Sequence, residues 1–379
     1  MKTLSRFSAL FLCLVLTVSV CLCGCSKAPD PTEAPTAAPT EAAPTEAPTE
    51  APTEAPTETP TEAPTEPPVT EPVFSVNPLT GETVEGTQDL RIFGVAINNV
   101  PPALPHVGLA QADLVFEMFV NDYATRCLAF YTDIAQVETI GSVRSMRYNF
   151  TDLALAYDAI IAHAGGSDEV INDAYRNKID HFNVDTSTRT SYSFRSEERS
   201  NAGYSREHTL FAIGSGLVGK AEKEDMRITR DSEKNYGLNF TEDGTPTGGE
   251  DAGKIDIIFT LKGHTKQSTM TYSEELGKYV FTQYGKGIDS VKEENLEAFE
   301  NVFVILAKVT NKDVYHVAKL EGSGEGYYAC GGKLVKILWH HENDTDPITF
   351  TLEDGTPLVQ GIGTSYIAIA PTASSVSWQ

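Results

Sequence analysis

Two arginines stand at the start of a predicted helix, where positively charged side chains are unusual. Arg144 and Arg147 lie in the segment IGSVRSMR, and apolar residues at helical spacing predict a helix over residues 146–157. The helix dipole disfavours cations at this end, whereas backbone amides and guanidinium groups placed there together bind phosphate or carboxylate. The pattern therefore indicates an anion site. The alternative is a pair of exposed arginines that bridge to Asp152 or Glu138.

A third arginine lies upstream in a predicted β-hairpin. Its strands are Asp113–Val120 and Thr125–Tyr131. With the turn centred on residues 122–123, Glu117 and Arg126 are diagonal neighbours on one face of the hairpin, among apolar side chains. A half-buried charge needs a partner, because its desolvation is otherwise costly. Two interpretations follow: a structural ion pair, or an Arg126 that points at a ligand and is held in place by Glu117.

The segment HAGGS, residues 163–167, follows a predicted strand and precedes a predicted helix. Ser167 is a favourable N-cap, and Gly165 and Gly166 permit a positive φ or a close approach of the backbone to a ligand. The segment lacks the lysine and the spacing of a P-loop, so it is a weak phosphate signal. His163 and His208 are each interpreted as either a ligand-binding or a structural histidine.

Motifs that would identify an enzyme are missing from the sequence. It contains no Ser-His-Asp elbow, HExxH, Walker or EF-hand motif, so catalytic residues and cofactors stay unassigned. The segment HHEND, residues 340–344, has the composition of a metal cluster, but neighbouring residues on a strand point to opposite faces. We therefore interpret this segment as a solvated loop and predict no metal site.

The elements that carry these residues fall into two groups. Residues 73–235 alternate between strands and helices, which predicts an α/β domain. Residues 250–379 contain short strands separated by turns, which predicts a mostly antiparallel β domain. Beyond the helix already named, further helices are predicted at residues 167–176, 208–223 and 292–299.

The N-terminus has the features of a bacterial lipoprotein signal. A basic start precedes an apolar run over residues 7–22, which is too short to span a membrane. The run ends in Leu22-Cys23-Gly24-Cys25, which resembles a lipobox. We predict a signal peptide over residues 1–24 and a lipid on Cys25. The alternative is an ordinary signal peptide that is cleaved near Gly24.

Residues 25–72 are predicted to form a disordered linker between the anchor and the folded part. They are mostly Pro, Thr, Glu and Ala, and glutamate recurs every fourth residue from Glu46 to Glu66. This composition has no apolar face to bury and favours an extended, polyproline-like chain. Only Cys127 and Cys330 follow the linker, which argues against a disulfide framework.

The charge of the chain narrows the classes of partner. Of the formal net charge of −24, residues 1–72 carry −7 and residues 73–379 carry −17. This balance argues against a protein that binds nucleic acid or anionic lipid through bulk electrostatics. It leaves room for a local cationic pocket.

Several short motifs resemble, in the same order, those of the YerB-like lipoproteins. They are Asn77-Pro78-Leu79-Thr80-Gly81, Val95-Ala96-Ile97-Asn98-Asn99, Gly108-Leu109-Ala110-Gln111-Ala112-Asp113, Thr125-Arg126, Ile140-Gly141-Ser142-Val143-Arg144-Ser145, Tyr157-Asp158-Ala159 and His163-Ala164-Gly165-Gly166-Ser167. The resemblance implies an N-terminal and a C-terminal domain of unknown function. The segment Glu207-His208-Thr209-Leu210-Phe211 departs from the family's Pro-His-Asn-Leu-Tyr type, and the segment after Met270 lacks the usual Trp and Arg.

These observations predict an extracytoplasmic lipoprotein, anchored to the cell membrane, that binds an anionic or sugar-containing envelope ligand or an envelope partner protein. The candidate ligand-binding residues are Asn98, Glu117, Arg126, Arg144, Arg147, His163, Gly165, Gly166, Ser167 and His208. The alternative is an enzyme that acts on a phosphate-linked cell-wall polymer, since the layout is distantly similar to that of the LytR-CpsA-Psr phosphotransferases. The three arginines would then stabilise developing charge. A third interpretation is a scaffold whose β domain docks a wall enzyme.

The lipobox leads to a direct test. Replacing Cys25 with Ala removes the thiol that would carry the diacylglyceryl group. The variant should be released into the medium or accumulate as precursor, and cell fractionation with intact-mass measurement would detect either outcome. Membrane retention and mass unchanged from the parent would contradict the predicted anchor.

Overall fold

The computed structural model describes residues 73–121, 124–285 and 296–379. The predicted signal peptide, lipidation site and linker lie outside the described residues. Within the described ranges there are four α-helices: α1 (Tyr148–Ala156), α2 (Asp168–Arg176), α3 (Glu197–Asn201) and α4 (Gly214–Lys223). Short 3-10 helices occupy Pro101–Ala103, Leu109–Gln111, Ile134–Gln136 and Arg206–His208. None of these helices has the length and apolar character that a membrane span requires.

Strands make up most of the regular structure in the described ranges. In chain order they are β1 (Phe74–Val76), β2 (Thr83–Glu85), β3 (Phe93–Asn99), β4 (Leu114–Asn121), β5 (Ala124–Tyr131), β6 (Ile140–Gly141), β7 (Ile160–His163), β8 (His181–Asn183), β9 (Ser193–Arg195), β10 (Leu210–Ala212), β11 (Phe240–Thr241), β12 (Glu250–Asp251), β13 (Lys254–Leu261), β14 (His264–Ser273), β15 (Lys278–Gln283), β16 (Ala298–Phe299), β17 (Asn301–Ala307), β18 (Val309–Lys312), β19 (Tyr315–Ala318), β20 (Gly322–Cys330), β21 (Lys333–His341), β22 (Thr349–Leu352), β23 (Gln360–Gly361), β24 (Ser365–Pro371) and β25 (Ser375–Trp378).

The largest sheet contains strands from both predicted domains. Its order is β12-β21-β20-β17-β24-β4-β5-β3-β7-β8, and β22 pairs with β21. Strand β24 lies between β17 and β4 and runs parallel to both. A five-stranded sheet has the order β16-β15-β14-β13-β25, and a three-stranded sheet has the order β6-β10-β9. The predicted fold class is confirmed, whereas a domain boundary between residues 235 and 250 stays a prediction.

The large sheet is covered on both faces by apolar residues. Side chains of β4 alternate between two hydrophobic cores, because successive residues of a strand point to opposite faces. Val115 and Phe119 face the core that contains the five-stranded sheet, and Phe116 and Met118 face the core that contains α1. The Tyr157 ring, at the end of α1, packs edge-on against Phe116 with the ring centroids 5.6 Å apart.

Two of the predicted helices are wrong in part. Residues 208–223 were expected to form one helix, but Leu210–Ala212 is a strand that pairs with β6 and β9, and α4 begins only at Gly214. A short apolar run is ambiguous between helix and strand, and tertiary pairing decides. The helix expected at 292–299 is contradicted at Ala298–Phe299, which pairs with β15. Residues 292–295 lie outside the described residues.

The predicted pairing of the first hairpin is displaced by one residue. Glu117 lies opposite Cys127 and Met118 lies opposite Arg126, with an irregularity between Phe119 and Asn121. A one-residue change of register sends every side chain of one strand to the other face. Glu117 and Arg126 therefore point to opposite faces of the sheet, and the expected ion pair between them is wrong.

The partner of Glu117 is instead a lysine on the five-stranded sheet. Lys266 Nζ lies 2.6 Å from Glu117 Oε1, and both side chains are almost completely buried. Thr125 Oγ1 donates to Oε1 at 2.6 Å, Ser268 Oγ donates to Oε2 at 2.9 Å, and the Tyr366 hydroxyl also donates to Oε2. Burial raises the pKa of Glu117, but the Lys266 charge and these hydrogen bonds outweigh burial, so the pKa lies below its usual 4.5.

Removing Lys266 should therefore destabilise the protein. Lys266→Met keeps most of the side-chain volume but leaves Glu117 buried without a counter-charge, so the free energy of unfolding should fall by about 3 kcal/mol at neutral pH. Chemical denaturation measures this loss. The double variant Glu117→Gln/Lys266→Met should lose less than the sum of the two single changes.

The pH dependence and a matched control complete this test. Because the folded-state pKa of Glu117 lies below its unfolded value, the parent's stabilisation is present above about pH 4.5 and is lost as pH falls through the folded-state pKa. Lys333→Met serves as the control, since its pair with Asp251 is exposed. An equal loss of unfolding free energy in the Lys333 and Lys266 variants would show that the buried pair stabilises the fold no more than an exposed pair does.

Candidate functional site

Three arginines from different elements meet beside the start of α1. Arg126, on β5, is buried, and its Nη1 donates to the carbonyl of Ser145 at 2.5 Å. Arg147 is the N-cap residue of α1, and its Nη1 donates to the carbonyl of Met146 at 2.7 Å. Arg144 Nη2 lies 3.2 Å from Glu207 Oε2. The predicted position of Arg144 and Arg147 at the helix start is thus confirmed.

The guanidinium groups of this arginine cluster (Arg126, Arg144 and Arg147) are incompletely hydrogen-bonded. The Nε atom of each of the three is buried and has no hydrogen-bond partner among the described residues. Buried donors in proteins are nearly always paired, and an unpaired one costs about 1–3 kcal/mol. A hydrogen-bond acceptor placed among these three donors would complete their hydrogen bonding.

The positive charges of the cluster also disfavour one another. Burial lowers the pKa of Arg126 well below its usual range, and the charges of Arg147 and Arg144 lower it further. Burial likewise lowers the pKa of Arg147, with Arg144 adding to the effect and Tyr315 opposing it. Each shift means that the protein environment disfavours the positive charge. An anion would reverse this balance, because an opposite charge favours the charged form of a guanidinium.

Acidic and polar residues line the rim of the cluster. Glu207 is half exposed and, besides Arg144, contacts His208 Nε2 at 3.5 Å. Asn98 Nδ2 lies 2.8 Å from His208 Nδ1. With the amide donating, Nδ1 accepts and the proton of the neutral ring lies on Nε2, which faces Glu207. The Tyr315 ring centroid lies 4.5 Å from the Arg147 guanidinium carbon, a cation–π contact.

A cleft of 220 Å³ opens beside the cluster. Its charged lining comprises Arg144, Arg195, Arg206, Asp185 and Glu207. Arg195 Nη2 is paired with Asp185, whereas Arg206 Nη2 lies 3.7 Å from the same carboxylate. The positive charges thus outnumber the negative ones in this cleft, although the chain as a whole is acidic.

Comparison with known proteins places this architecture in a family. Residues 79–227 match the family described as "Protein of unknown function (DUF3048) N-terminal domain", and residues 257–367 match the corresponding C-terminal domain. The chain belongs to the DUF3048 family. The resemblance to YerB-like lipoproteins noted in the sequence is thereby confirmed.

The sequence comparison and the structure comparison of this DUF3048 protein both find a Bacillus subtilis protein named YerB. A Bacillus subtilis (strain 168) protein named "Putative lipoprotein YerB" is 25% identical over 306 residues, which cover 79% of this chain and 87% of that protein. The crystal structure of the YerB protein from Bacillus subtilis has a TM-score of 0.65 at 24% identity and covers 80% of this chain and 99% of that chain. The structural likeness supports the fold.

The glycine segment of this DUF3048 protein does not add donors to the arginine cluster. The amide of Gly165 donates to Asn183 Oδ1 at 3.0 Å, and its carbonyl accepts from the amide of Met146 at 2.9 Å. Ser167 caps α2 through Val170, as expected. Gly165 and Gly166, with His163, line a separate cleft.

The structure therefore brings together only some of the predicted site residues. Around the arginine cluster it places Asn98, Arg126, Arg144, Arg147 and His208; Glu117 lies on the opposite face of the sheet, and His163, Gly165, Gly166 and Ser167 lie along the strand β7 to α2 connection. Sequence reasoning missed Tyr315, Arg195 and Arg206. Their contribution depends on pairings distant in the chain, and no local pattern signals it.

The histidine-rich segment at residues 340–344 is only in part the solvated loop that was expected, because residues 342–344 are exposed and lie outside the strands, whereas the two histidines do not. His340 and His341 are the last residues of β21, and His341 is buried with its Nδ1 3.3 Å from the carbonyl of Leu320. Across the described ranges, no group of three or more His, Cys, Asp or Glu side chains is placed to hold a metal ion.

His163 generates a prediction about pH. Burial lowers the pKa of His163 to about 4, with the neighbouring His181 adding to the effect and the hydrogen bond to Gly165 opposing it. Since the folded-state pKa lies below the unfolded value of 6.5, the unfolded chain binds more protons between these values. Stability should therefore fall as pH decreases from 6.5 towards 4, by up to roughly 3 kcal/mol from this group.

The change His163→Asn keeps a donor for the Gly165 carbonyl and removes the titrating ring. Its free energy of unfolding, measured by denaturant titration at several pH values, should depend less on pH across this window than that of the parent. His340→Asn is the control for loss of a histidine elsewhere. Parallel pH profiles for the parent and the His163 variant would contradict the assignment.

Proposed function

We propose that this DUF3048 protein is an extracytoplasmic, lipid-anchored lipoprotein that binds an anionic ligand of the cell envelope through the arginine cluster. Two observations support the location: the lipobox-like segment that ends at Cys25, and the relative whose name describes a lipoprotein. The ligand class rests on the chemistry of the cluster itself.

The observation that carries the proposal is the set of three buried Nε donors without partners among the described residues. A phosphate or carboxylate oxygen accepts hydrogen bonds from guanidinium nitrogens and adds negative charge to that of the half-exposed Glu207. An anionic group bound here would pair with the donors that it reaches and would relieve the mutual repulsion of Arg126, Arg144 and Arg147. A neutral ligand would pair with the donors but would leave the repulsion between the guanidinium groups in place.

Glu207 occupies the position of a competitor for such an anion. Its carboxylate contacts Arg144 at 3.2 Å, yet about half of its side chain is exposed. An exposed carboxylate gains little from a surface ion pair and is readily released to solvent. Anion binding at Arg144 would therefore displace Glu207, after which His208 Nε2 becomes available as a further donor.

Binding is preferred here to catalysis because of how His208 is held. Burial lowers the pKa of His208, which favours the neutral ring, with the Glu207 charge opposing this effect and the Arg144 charge adding to it. Asn98 holds its Nδ1, and its protonated Nε2 faces a carboxylate. This arrangement makes His208 a hydrogen-bond donor to a ligand, in keeping with recognition of an anion.

The proposal predicts how inorganic phosphate changes thermal unfolding of the full chain. Phosphate at ten times its Kd should stabilise the parent by about 1.4 kcal/mol through mass action. Arg144→Ala and Arg147→Ala should lose this effect. Without phosphate they should be as stable as the parent or slightly more stable, since each change removes one of the mutually repelling charges.

Two further variants sharpen the test. Glu207→Gln removes the internal competitor and should bind phosphate more tightly than the parent. Arg176→Ala removes an arginine of α2 that pairs with Asp173, and it should respond to phosphate as the parent does. A parent that phosphate does not stabilise, together with large stability losses in both cluster variants, would show a structural ion-pair network.

A further inference from the structure

A second cleft, of 480 Å³, lies between β7, β8, α2 and α4. We call it the histidine cleft, after His163 and His181, which line it together with Tyr175, Asn183, Lys220 and Glu224. It shares the connection from β7 to α2 with the arginine cluster but contains none of its guanidinium groups. The polar groups of this cleft are therefore imidazole, phenol and amide groups and one lysine–glutamate pair, rather than guanidinium groups.

The backbone carbonyl of Gly165 determines which ring nitrogen carries the proton in both histidines. His163 Nδ1 lies 2.8 Å from the carbonyl oxygen of Gly165, which only accepts, so this nitrogen carries the proton. In the neutral ring, His163 Nε2 then accepts, and His181 Nδ1, 3.0 Å away, must donate to it. This chain leaves His181 Nε2 as a bare acceptor.

That acceptor has no partner within the part of the chain that the structure describes, although the atom is buried. Burial lowers the pKa of both histidines, which favours the neutral rings that this order of donors requires; for His181 the charges of Asp180 and Glu224 oppose the effect. A group that binds to this nitrogen must therefore be a hydrogen-bond donor. A hydroxyl group satisfies this requirement without bringing a charge into the cleft.

The remaining lining fits a ring that carries several hydroxyl groups. Tyr175 is 67% exposed, an unusual state for a large aromatic side chain, and its ring packs on His181 with the centroids 4.9 Å apart. Asn183 Oδ1 already accepts from the amides of Gly165 and Asp185, so its NH₂ group is left to donate. An aromatic surface beside fixed donors and acceptors suits the apolar face and polar edge of a sugar ring.

The charges in the cleft disfavour an anionic ligand. Lys220 Nζ lies 2.5 Å from Glu224 Oε1, so the lysine charge is already paired with a carboxylate that also lines the cleft. An incoming anion would have to displace Glu224 and would approach a bare imidazole acceptor. A neutral ligand meets neither obstacle.

We propose that the histidine cleft binds a neutral carbohydrate, with His181 Nε2 accepting a hydrogen bond from a sugar hydroxyl and Tyr175 covering one face of the ring. This site is independent of the anion site proposed above. It assigns the protein a second ligand class and makes His163 a positioning residue, because His163 sets the proton position on His181.

The test is calorimetric titration of the full chain with neutral tetrasaccharides of N-acetylglucosamine, glucose in β-linkage and glucose in α-linkage. The chain is held in a detergent whose head group is not a sugar, which avoids competition for the cleft. At least one saccharide should bind saturably. His181→Asn keeps a donor near the Nδ1 position for His163 but has no group at the Nε2 position, so it should bind about tenfold more weakly, as expected for one hydrogen bond.

Tyr175→Ala should weaken binding to a similar degree. Its matched control is Phe74→Ala, which removes another exposed aromatic ring from the hairpin β1–β2 and should leave binding unchanged. Arg144→Ala should also leave it unchanged. Nitrogen NMR of the imidazole rings provides a readout that needs no variant: the unprotonated Nε2 signal of His181 should shift when saccharide is added.

Three results would overturn the proposal. The first is the absence of saturable binding by all three saccharides. The second is binding that the His181 and Tyr175 variants retain at full strength. The third is an NMR spectrum in which His181 Nε2 carries the proton. Loss of phosphate binding in the arginine variants bears on the other site alone, so the two proposals stand or fall separately.

Discussion

Glu117 lies at the middle of β4 with no exposed surface, and its charge is matched by Lys266 on a different sheet. The aromatic rings of Phe259, Phe281 and Tyr284 surround the ammonium group at 5.3–5.6 Å. The two sheets cannot separate here without exposing the aromatic surface and leaving two charges unpaired in an apolar interior. This constraint fixes which face of β4 and β5 is turned toward the five-stranded sheet.

The position of the arginine cluster follows from the same constraint. Side chains alternate along β5, so Thr125 and Cys127 face Glu117 while Arg126 is sent to the opposite face, beside the start of α1. The register between β4 and β5 thus places the buried ion pair on one face of the sheet and the candidate anion site on the other. The second half of the chain contributes a residue to each face: Lys266 pairs with Glu117, and Tyr315 contacts Arg147.

The sequence was sufficient wherever a local pattern decided the outcome. The apolar spacing of Met146, Phe150, Leu153 and Tyr157 predicts a buried helix face. All four side chains are buried, although Met146 and Tyr157 lie just outside α1. The irregularity between Phe119 and Asn121 could not be foreseen, because a bulge leaves no reliable mark in a single sequence. The same holds for Lys266: an isolated lysine in an alternating strand is normally exposed, and only a pairing some 150 residues away makes it a buried partner.

The position of β24 determines when, during synthesis, the central sheet can form. This strand, Ser365–Pro371, is the last in the chain to join the large sheet, yet it lies between β17 and β4 rather than at an edge. Until it arrives, β4 and β17 each present an unpaired edge, and Tyr366 is not yet there to bind Glu117. Such contacts between distant parts of a chain form slowly. The central sheet can therefore close only after residue 371 has been synthesised, and the earlier strands need protection from other chains during that interval.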